Sequence, residues 1–215
     1  SEGHIEPDYV VVGEITGNRL AVAEKGVINF ELVTRGRSAH ASTPWAGVNA
    51  ISMMVAILPE VERALREQCA RSSHPLTPPA SYNIGVIEGG IKINVVPDVC
   101  RVYIDRRTLP GEPIEAAIEA LAEVVHQCRV RNPELDAELH VLRTGSAFET
   151  SPDCLLVEKG QGVLRQLWLS DGLVGYEQAS DGRFFAEKGI ATVIFGPGVP
   201  RVAHGPDEHI DTREV

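Results

Sequence analysis

The chain contains 215 residues, of which 43% are hydrophobic and 23% are charged, and this ordinary globular composition excludes a disordered, collagen-like or coiled-coil protein. Its 30 acidic and 20 basic residues give a net charge of −10, so it lacks the basic surface that duplex nucleic acid requires. The longest apolar run, residues 53–58, is far shorter than the ~20 residues of a membrane span, and residues 1–8 are too polar for a signal peptide. We therefore expect a soluble cytoplasmic protein with neither a nucleic acid nor a membrane as partner.

The first predicted elements are two strands and a helix. Residues 9–12 form a short β-branched run that is typical of a buried parallel strand, and its carboxyl end delivers Glu14. Residues 27–33 alternate apolar and polar side chains, which predicts a half-exposed strand. Thr43 is the predicted N-cap of a helix, because Pro44 follows it and apolar residues then recur at spacings of three and four.

The middle of the chain continues with two strands, a second helix and a further strand. Residues 81–87 and 100–104 are predicted to be antiparallel strands. Residues 112–128 predict an amphipathic helix, because acidic residues stand at its amino end and apolar residues recur along one face. Residues 135–142 close this region as a strand. The order strand, helix, strand, strand, helix, strand is that of a ferredoxin-like split βαβ unit.

The last part of the chain has the same kind of sequence pattern as its beginning. Residues 190–195 are a second apolar, β-branched run, whose carboxyl end leads to His204. We therefore assign the chain to the α/β class, with an α+β domain inserted into an α/β domain. We expect residues 1–24 and 143–215 to form parts of the α/β domain, and residues 25–142 to form the inserted domain.

Glu14 and His204 are the first candidates for chemistry. Both stand at the carboxyl ends of predicted parallel strands, where open α/β sheets bind ligands. Carboxylate oxygen and imidazole nitrogen both suit zinc, although a surface charge is the alternative interpretation of an isolated glutamate after a strand. The four cysteines are widely and singly spaced, which predicts reduced thiols and not a zinc ribbon.

Short motifs follow one another along nearly the whole chain. They are Gly13-Glu14-Ile15-Thr16, Gly36-Arg37-Ser38-Ala39-His40-Ala41-Ser42-Thr43-Pro44, Ile93-Asn94-Val95-Val96-Pro97, Asp105-Arg106-Arg107, Ser180-Asp181-Gly182-Arg183 and Ala203-His204-Gly205-Pro206-Asp207-Glu208. In this order they resemble the zinc-dependent aminoacylase and carboxypeptidase family of metallopeptidases, which includes acetylornithine deacetylase, succinyl-diaminopimelate desuccinylase and glutamate carboxypeptidase.

This resemblance implies a zinc-peptidase α/β catalytic domain with an inserted ferredoxin-like dimerisation domain, also called the lid. It implies two zinc ions per full-length subunit, for which cobalt could substitute, with Glu14 and His204 among their ligands. It also implies that His40 stabilises the tetrahedral oxyanion from the partner subunit of a homodimer. Asn94 and Arg107 would contact substrate oxygens, and a guanidinium fork suits a carboxylate.

The sequence departs from the family pattern in two ways. Ile15 stands where the family usually has proline after the glutamate. The first metal-binding histidine, the bridging aspartate and the paired glutamates of the family, one of which is the general base, would precede residue 1. A zinc pair needs about three protein ligands per metal. We therefore expect the chain to be part of a larger enzyme and to be inactive alone.

Other polar and flexible residues have simpler interpretations. Arg106 is expected to be a solvated charge on a strand, and Asp181 to cap a short helix. Gly196 and Gly198 could offer backbone N–H groups to a substrate carboxylate, although a tight turn is the simpler explanation.

Two functions from different classes follow. The first is a metal-dependent hydrolase that cleaves the amide bond of an N-acyl amino acid or a small peptide-like substrate. The alternative is a non-catalytic dimerisation or regulatory module of the same family. A small-molecule sensor built on the ferredoxin-like domain ranks last, because it gives Glu14 and His204 no purpose.

Overall fold

Two β-sheets organise the chain, and the computed structural model describes residues 7–200, 205 and 208–214 of it. The strands are, in chain order, β1 (Tyr9–Val12), β2 (Ala21–Glu24), β3 (Gly26–Arg35), β4 (Ser81–Gly89), β5 (Val99–Thr108), β6 (Asp136–Gly145), β7 (Phe148–Glu149), β8 (Val174–Tyr176) and β9 (Ala191–Ile194). The α-helices are α1 (Ala50–Arg71), α2 (Ile114–Arg131), α3 (Leu155–Gln166) and α4 (Gly182–Ala186). Within these described residues, each helix is either too short or too polar to cross a membrane.

The four-stranded sheet has the order β4-β5-β3-β6, and all its neighbouring strands are antiparallel. The predicted ferredoxin-like arrangement is therefore confirmed. Its core lies between the sheet and helices α1 and α2, and apolar residues from both helices and from β3 and β5 fill it. We name this four-stranded sheet the lid sheet, and the sheet together with α1 and α2 the lid. The core includes Ile28, Phe30, Leu32, Met54, Leu65, Val102, Ile104, Leu121 and Val125.

Strand β3 is more buried than its alternating pattern predicts. It lies between β5 and β6, and most of its residues are buried, so the prediction of a half-exposed strand was wrong. Asn29 and Glu31 are the half-buried exceptions, and both lie on the face of the sheet away from α1 and α2. Polar residues therefore mark the helix-free face of the lid sheet.

The second sheet is mixed and contains the first and the last strands of the described chain. It has the order β1-β9-β2-β7, and β8 pairs with β2. Strands β1 and β9 are parallel, as are β2 and β8. The predicted strands at residues 9–12 and 190–195 are thus present, but β1 pairs with β9 alone among the described strands, and its Val11 side chain is 59% exposed. The prediction that this strand is buried was wrong.

The first lid helix begins later than the sequence suggests. Thr43 precedes a single 3-10 turn at Pro44–Ala46, and the helix α1 starts at Ala50 after Asn49. The Asn49 side chain accepts a hydrogen bond of 3.0 Å from the backbone N–H of Ser52. Asn49 is therefore the N-cap, and the assignment of that role to Thr43 was wrong.

Arg106 is fully buried, and the prediction of a solvated charge was wrong. Alternate residues of β5 face the helices, which places Arg106 on the same side as Val102 and Ile104. Its guanidinium pairs with the Glu112 carboxylate and donates to the backbone carbonyl of Arg107. The same carboxylate accepts the Leu109 N–H at 3.2 Å. A partner six residues away thus neutralises the buried charge.

The short helix near the end of the chain forms as predicted, but its first turn is held differently. The Gly182 N–H donates to Oγ of Ser180 at 3.0 Å, whereas Asp181 makes no capping hydrogen bond with its side chain. Asp181 therefore stands at the N-cap position, as predicted, but its side chain does not cap the helix. All four cysteines are free and at least partly buried, in agreement with the prediction.

Candidate active site

Glu14 lies just beyond the carboxyl end of β1, as predicted, and a tyrosine holds its carboxylate. The Tyr176 hydroxyl donates to Oε2 of Glu14 at 3.1 Å. Burial, together with the nearby Glu14 charge, raises the pKa of the Tyr176 phenol, so the hydroxyl stays protonated as a donor. Tyr176 is buried at the end of β8, which pairs with β2. The sheet therefore fixes the donor that orients Glu14.

The turn after Glu14 is locked against the end of β9. A Cβ atom on Gly196 would lie 2.4 Å from the Glu14 carbonyl oxygen, so only glycine fits there. The Gly196 N–H donates to Oγ1 of Thr16 at 3.1 Å, and the Gly198 N–H donates to Oε2 of Glu214 at 2.7 Å. Both N–H groups have partners within the chain, which favours the tight turn over a substrate contact.

The predicted metal site is only partly visible. His204 lies outside the described residues. Glu14 has the donor chemistry that zinc requires, but residues 7–200, 205 and 208–214 contain no group of three His, Cys, Asp or Glu side chains that could hold a metal ion. The described residues alone do not make a complete site.

A second buried carboxyl group, which the sequence analysis missed, lies in the same sheet. Glu24 ends β2 and is fully buried beside Tyr176, its register partner on β8. Ser180 donates a short hydrogen bond to Oε2 of Glu24. Desolvation by burial raises the pKa of Glu24 to about 7, against the opposing effects of Ser180 and Arg183. The sequence does contain one indication of this buried carboxyl group, because Glu24 directly follows an uninterrupted apolar run.

On the lid, His40 and Asn94 come from separate loops that lie side by side. The Ala41 N–H donates to the Asn94 carbonyl at 3.0 Å, and His40 forms an isolated antiparallel bridge with Val95. Nδ1 of His40 accepts the Ser42 N–H at 3.2 Å, so in the neutral ring the proton lies on Nε2. The hydrogen bonds of His40 stay within its own loop, and its ring is exposed. The Nε2–H group is thus available as a donor to another molecule.

Arg107 lies on the helix-free face of the lid sheet, where an acidic neighbour holds it. Its Nε and Nη2 atoms donate to the Asp105 carboxylate at 2.6 and 3.2 Å, and Asn29 donates to the same carboxylate at 3.0 Å. These side chains line a cleft of about 370 Å³, together with Arg143 and with Gln178 from the loop after β8. We name it the Arg107 cleft. A substrate carboxylate would compete there with Asp105 for the guanidinium.

The chain thus combines a ferredoxin-like unit with a mixed sheet to which both its ends are joined, and Glu14 lies at a strand end of that sheet. The family model described as "Peptidase dimerisation domain" (M20_dimer) matches residues 22–130. The chain belongs to this M20 peptidase family.

Relatives and solved structures support this assignment. The chain is 32% identical to acetylornithine deacetylase of Myxococcus xanthus over 215 residues, which cover 96% of the chain and 54% of that protein. It is also 32% identical over 218 residues to acetylornithine deacetylase of Pectobacterium carotovorum, with 98% and 54% covered. A tripeptidase from Staphylococcus aureus shares the fold with a TM-score of 0.75 at 22% identity, over 95% of this chain and 52% of that one. The chain spans about half the length of these relatives.

Proposed function

We propose that the chain is part of a metal-dependent hydrolase that cleaves the amide bond of an N-acyl amino acid or a small peptide-like substrate. The observation that carries this proposal is the 32% identity to acetylornithine deacetylases over nearly the whole chain. A cytoplasmic location, and domain limits at residues 25 and 142, belong to the same proposal. We further propose that the 215-residue chain is inactive alone, because it supplies two proposed metal ligands, Glu14 and His204, whereas a zinc pair needs about three protein ligands per metal.

Glu14 and His204 are the residues of this chain that we propose as metal ligands. When bound, zinc would act as a Lewis acid toward the amide carbonyl. The Tyr176 hydroxyl supports the role of Glu14, because it restrains one carboxylate oxygen and leaves the other free to bind. Such partners of a ligand commonly set its orientation.

Three lid residues are proposed to act on the substrate, and of these His40 would act from the partner subunit. Nε2–H of His40 would donate to the oxygen of the amide carbonyl as negative charge develops on it in the transition state. Asn94 would contact a substrate oxygen from the adjoining loop. Arg107 would bind a substrate carboxylate after exchanging Asp105 for it.

A homodimer formed through the lid is the partner that the surface supports. Strand β4 lies at the edge of the lid sheet, and its Val86 and Ile87 side chains are 49% and 56% exposed. The following loop exposes Ile91 and Ile93 almost completely, and Trp45 is also exposed. An open strand edge beside exposed apolar residues favours pairing with a second copy.

The alternative function is a dimerisation or regulatory module without catalysis. The match of the family model to residues 22–130 favours it, because that match concerns the dimerisation domain. The absence of a three-ligand group within the described residues is compatible with both functions.

An assay of the product of the complete reading frame separates the two functions. The protein would be stripped of metal with a chelator, reloaded with zinc and offered N-acetyl, N-succinyl, N-carbamoyl and aminoacyl substrates. We expect zinc-dependent hydrolysis of at least one class, which Glu14→Gln abolishes and Glu158→Gln preserves, since Glu158 is a surface residue on α3. A dimeric, zinc-loaded protein that hydrolyses none of them would support the regulatory module.

A further inference from the structure

Glu24 is a fully buried carboxyl group that the proposed reaction does not use. It lies in β2 between Tyr176 of β8 and Phe148 of β7, with no exposed surface. Burial of a carboxyl group is unfavourable, and within the described part of the chain its Oε1 atom has no hydrogen-bond partner. A group that is costly to bury and only half satisfied calls for an explanation other than stability.

The other oxygen of Glu24 holds Ser180, which is a junction of hydrogen bonds. Ser180 donates its hydroxyl to Oε2 of Glu24 and accepts the Gly182 N–H on the same Oγ at 3.0 Å. Its carbonyl accepts from Nη1 of Arg183 at 3.0 Å. The hydrogen bond to Glu24 therefore fixes the orientation of the Ser180 hydroxyl group, so that a lone pair of its oxygen faces the first turn of α4.

The segment that contains Ser180 lies between the two halves of the candidate site. Residues 177–181, which we name the β8–α4 loop, follow Tyr176, the partner of Glu14. Gln178 in this loop lines a cleft of about 230 Å³ with Ile15 and Thr16, beside Glu14. The same residue lines the Arg107 cleft on its other side. The loop therefore borders both the Glu14 side and the Arg107 side of the candidate site.

We propose that Glu24 is a positioning residue for the proposed hydrolase site, because its carboxyl oxygen anchors Ser180 and so holds the β8–α4 loop between the two clefts. The role requires an acceptor at this position and does not require a charge. Glutamine supplies that acceptor, whereas leucine has a similar size and supplies none. The kinetic part of this proposal rests on the proposed function, but the placement of the loop does not.

The test uses Glu24→Gln and Glu24→Leu in the product of the complete reading frame. Hydrogen exchange of the backbone amides in residues 177–183 would be measured without substrate. We expect exchange to be about tenfold faster in Glu24→Leu and close to wild type in Glu24→Gln, because only leucine removes the hydrogen bond to Ser180. Thr150→Val is the matched control, since buried Thr150 donates to the Thr192 carbonyl in the same sheet at 2.5 Å and makes no hydrogen bond to Ser180 within the described residues.

A second pair of variants changes Ser180, the donor in the same hydrogen bond. Ser180→Ala should speed exchange of the loop as Glu24→Leu does, and Ser180→Thr, which keeps the hydroxyl, should restore protection. This pair keeps the test decisive if Glu24→Leu does not fold. In the kinetic assay, Glu24→Leu and Ser180→Ala should lower kcat by about tenfold with little change in KM or bound zinc.

The outcomes separate the two proposals. Wild-type exchange of the loop in both Glu24→Leu and Ser180→Ala would overturn the positioning role, whatever the activity. Faster exchange throughout the sheet, equal to that in Thr150→Val, would also overturn it, because the role would then be general stability. Faster exchange confined to the loop in a protein that hydrolyses no amide would uphold the positioning role and count against the proposed function.

Discussion

The Tyr176 hydroxyl and the Glu14 carboxylate meet at 3.1 Å although 162 positions separate them in the sequence. Each residue stands at the carboxyl end of a strand in the mixed sheet, so the topology brings them together. If Glu14 binds zinc, Tyr176→Phe should weaken zinc binding by about 10- to 100-fold, since it removes the partner that orients the ligand. Competition with a chromophoric chelator would measure this. Tyr82→Phe is the control, because Tyr82 bonds to Glu62 on the lid. Equal affinities of Tyr176→Phe and wild type would contradict the role of Tyr176.

The buried ion pair between Arg106 and Glu112 should matter greatly for stability. Glu112→Ala leaves a fully buried guanidinium without its counter-charge, and we expect the free energy of unfolding to fall by about 3–5 kcal/mol. Glu138→Ala removes a surface pair with Arg35 and should cost no more than about 1 kcal/mol. Urea unfolding of both variants would check this. Similar losses in the two variants would mean that burial of the Arg106 pair has no special consequence.

The free energy of unfolding should depend on pH through the titration of Glu24. Because burial raises its pKa from 4.5 to about 7, the folded chain keeps a proton in this interval that the unfolded chain releases. The stabilising contribution is therefore complete below pH 4.5 and is lost as the pH rises through about 7. Glu24→Gln does not titrate, so it should remove about 3 kcal/mol of this decline. Unfolding midpoints in urea across the interval would measure it.

A control and a contrary outcome complete this test. Glu158→Gln alters a carboxylate whose side chain is 68% exposed and should leave the pH profile unchanged. A profile of Glu24→Gln that matches wild type would show that Glu24 titrates normally in the folded chain.

The proposed dimer should depend on the edge of the lid sheet. Ile87→Lys places a charge on the exposed part of β4, and we expect it to shift the protein to monomers in analytical ultracentrifugation. Val130→Lys is the matched control, because Val130 is similarly exposed but lies near the end of α2. Dimers that persist in Ile87→Lys would exclude this edge as the interface.

Much of the lid could be predicted from its sequence, because its helices and strands follow clear hydrophobic periods. Leu121 and Val125 recur along one face of α2, and Val102 and Ile104 alternate in β5, so each pattern shows which side is buried. The start of α1 could not be placed in this way. Thr43 and Asn49 both precede suitable residues, and only the folded chain shows which one caps the helix.

Local sequence patterns could not predict the burial of the charged residues, for a different reason. Arg106 and Glu24 are tolerated inside because of specific partners, Glu112 and Ser180. Ser180 lies 156 positions from Glu24, so no window of sequence contains both residues. The predicted site residues on the lid, His40 and Asn94, are neighbours because two separate loops pair, which the spacing alone does not reveal.

The most direct test of a shared, metal-dependent hydrolase site is subunit complementation in the product of the complete reading frame. His40→Ala and Glu14→Ala proteins, each inactive, would be mixed under conditions in which subunits exchange. If His40 acts across the interface, one of the two sites in each mixed dimer contains intact Glu14 and intact His40, so activity should return to about a quarter of wild type in an equal mixture. A mixture that exchanges subunits freely and stays inactive would contradict the role of His40 in the partner's site.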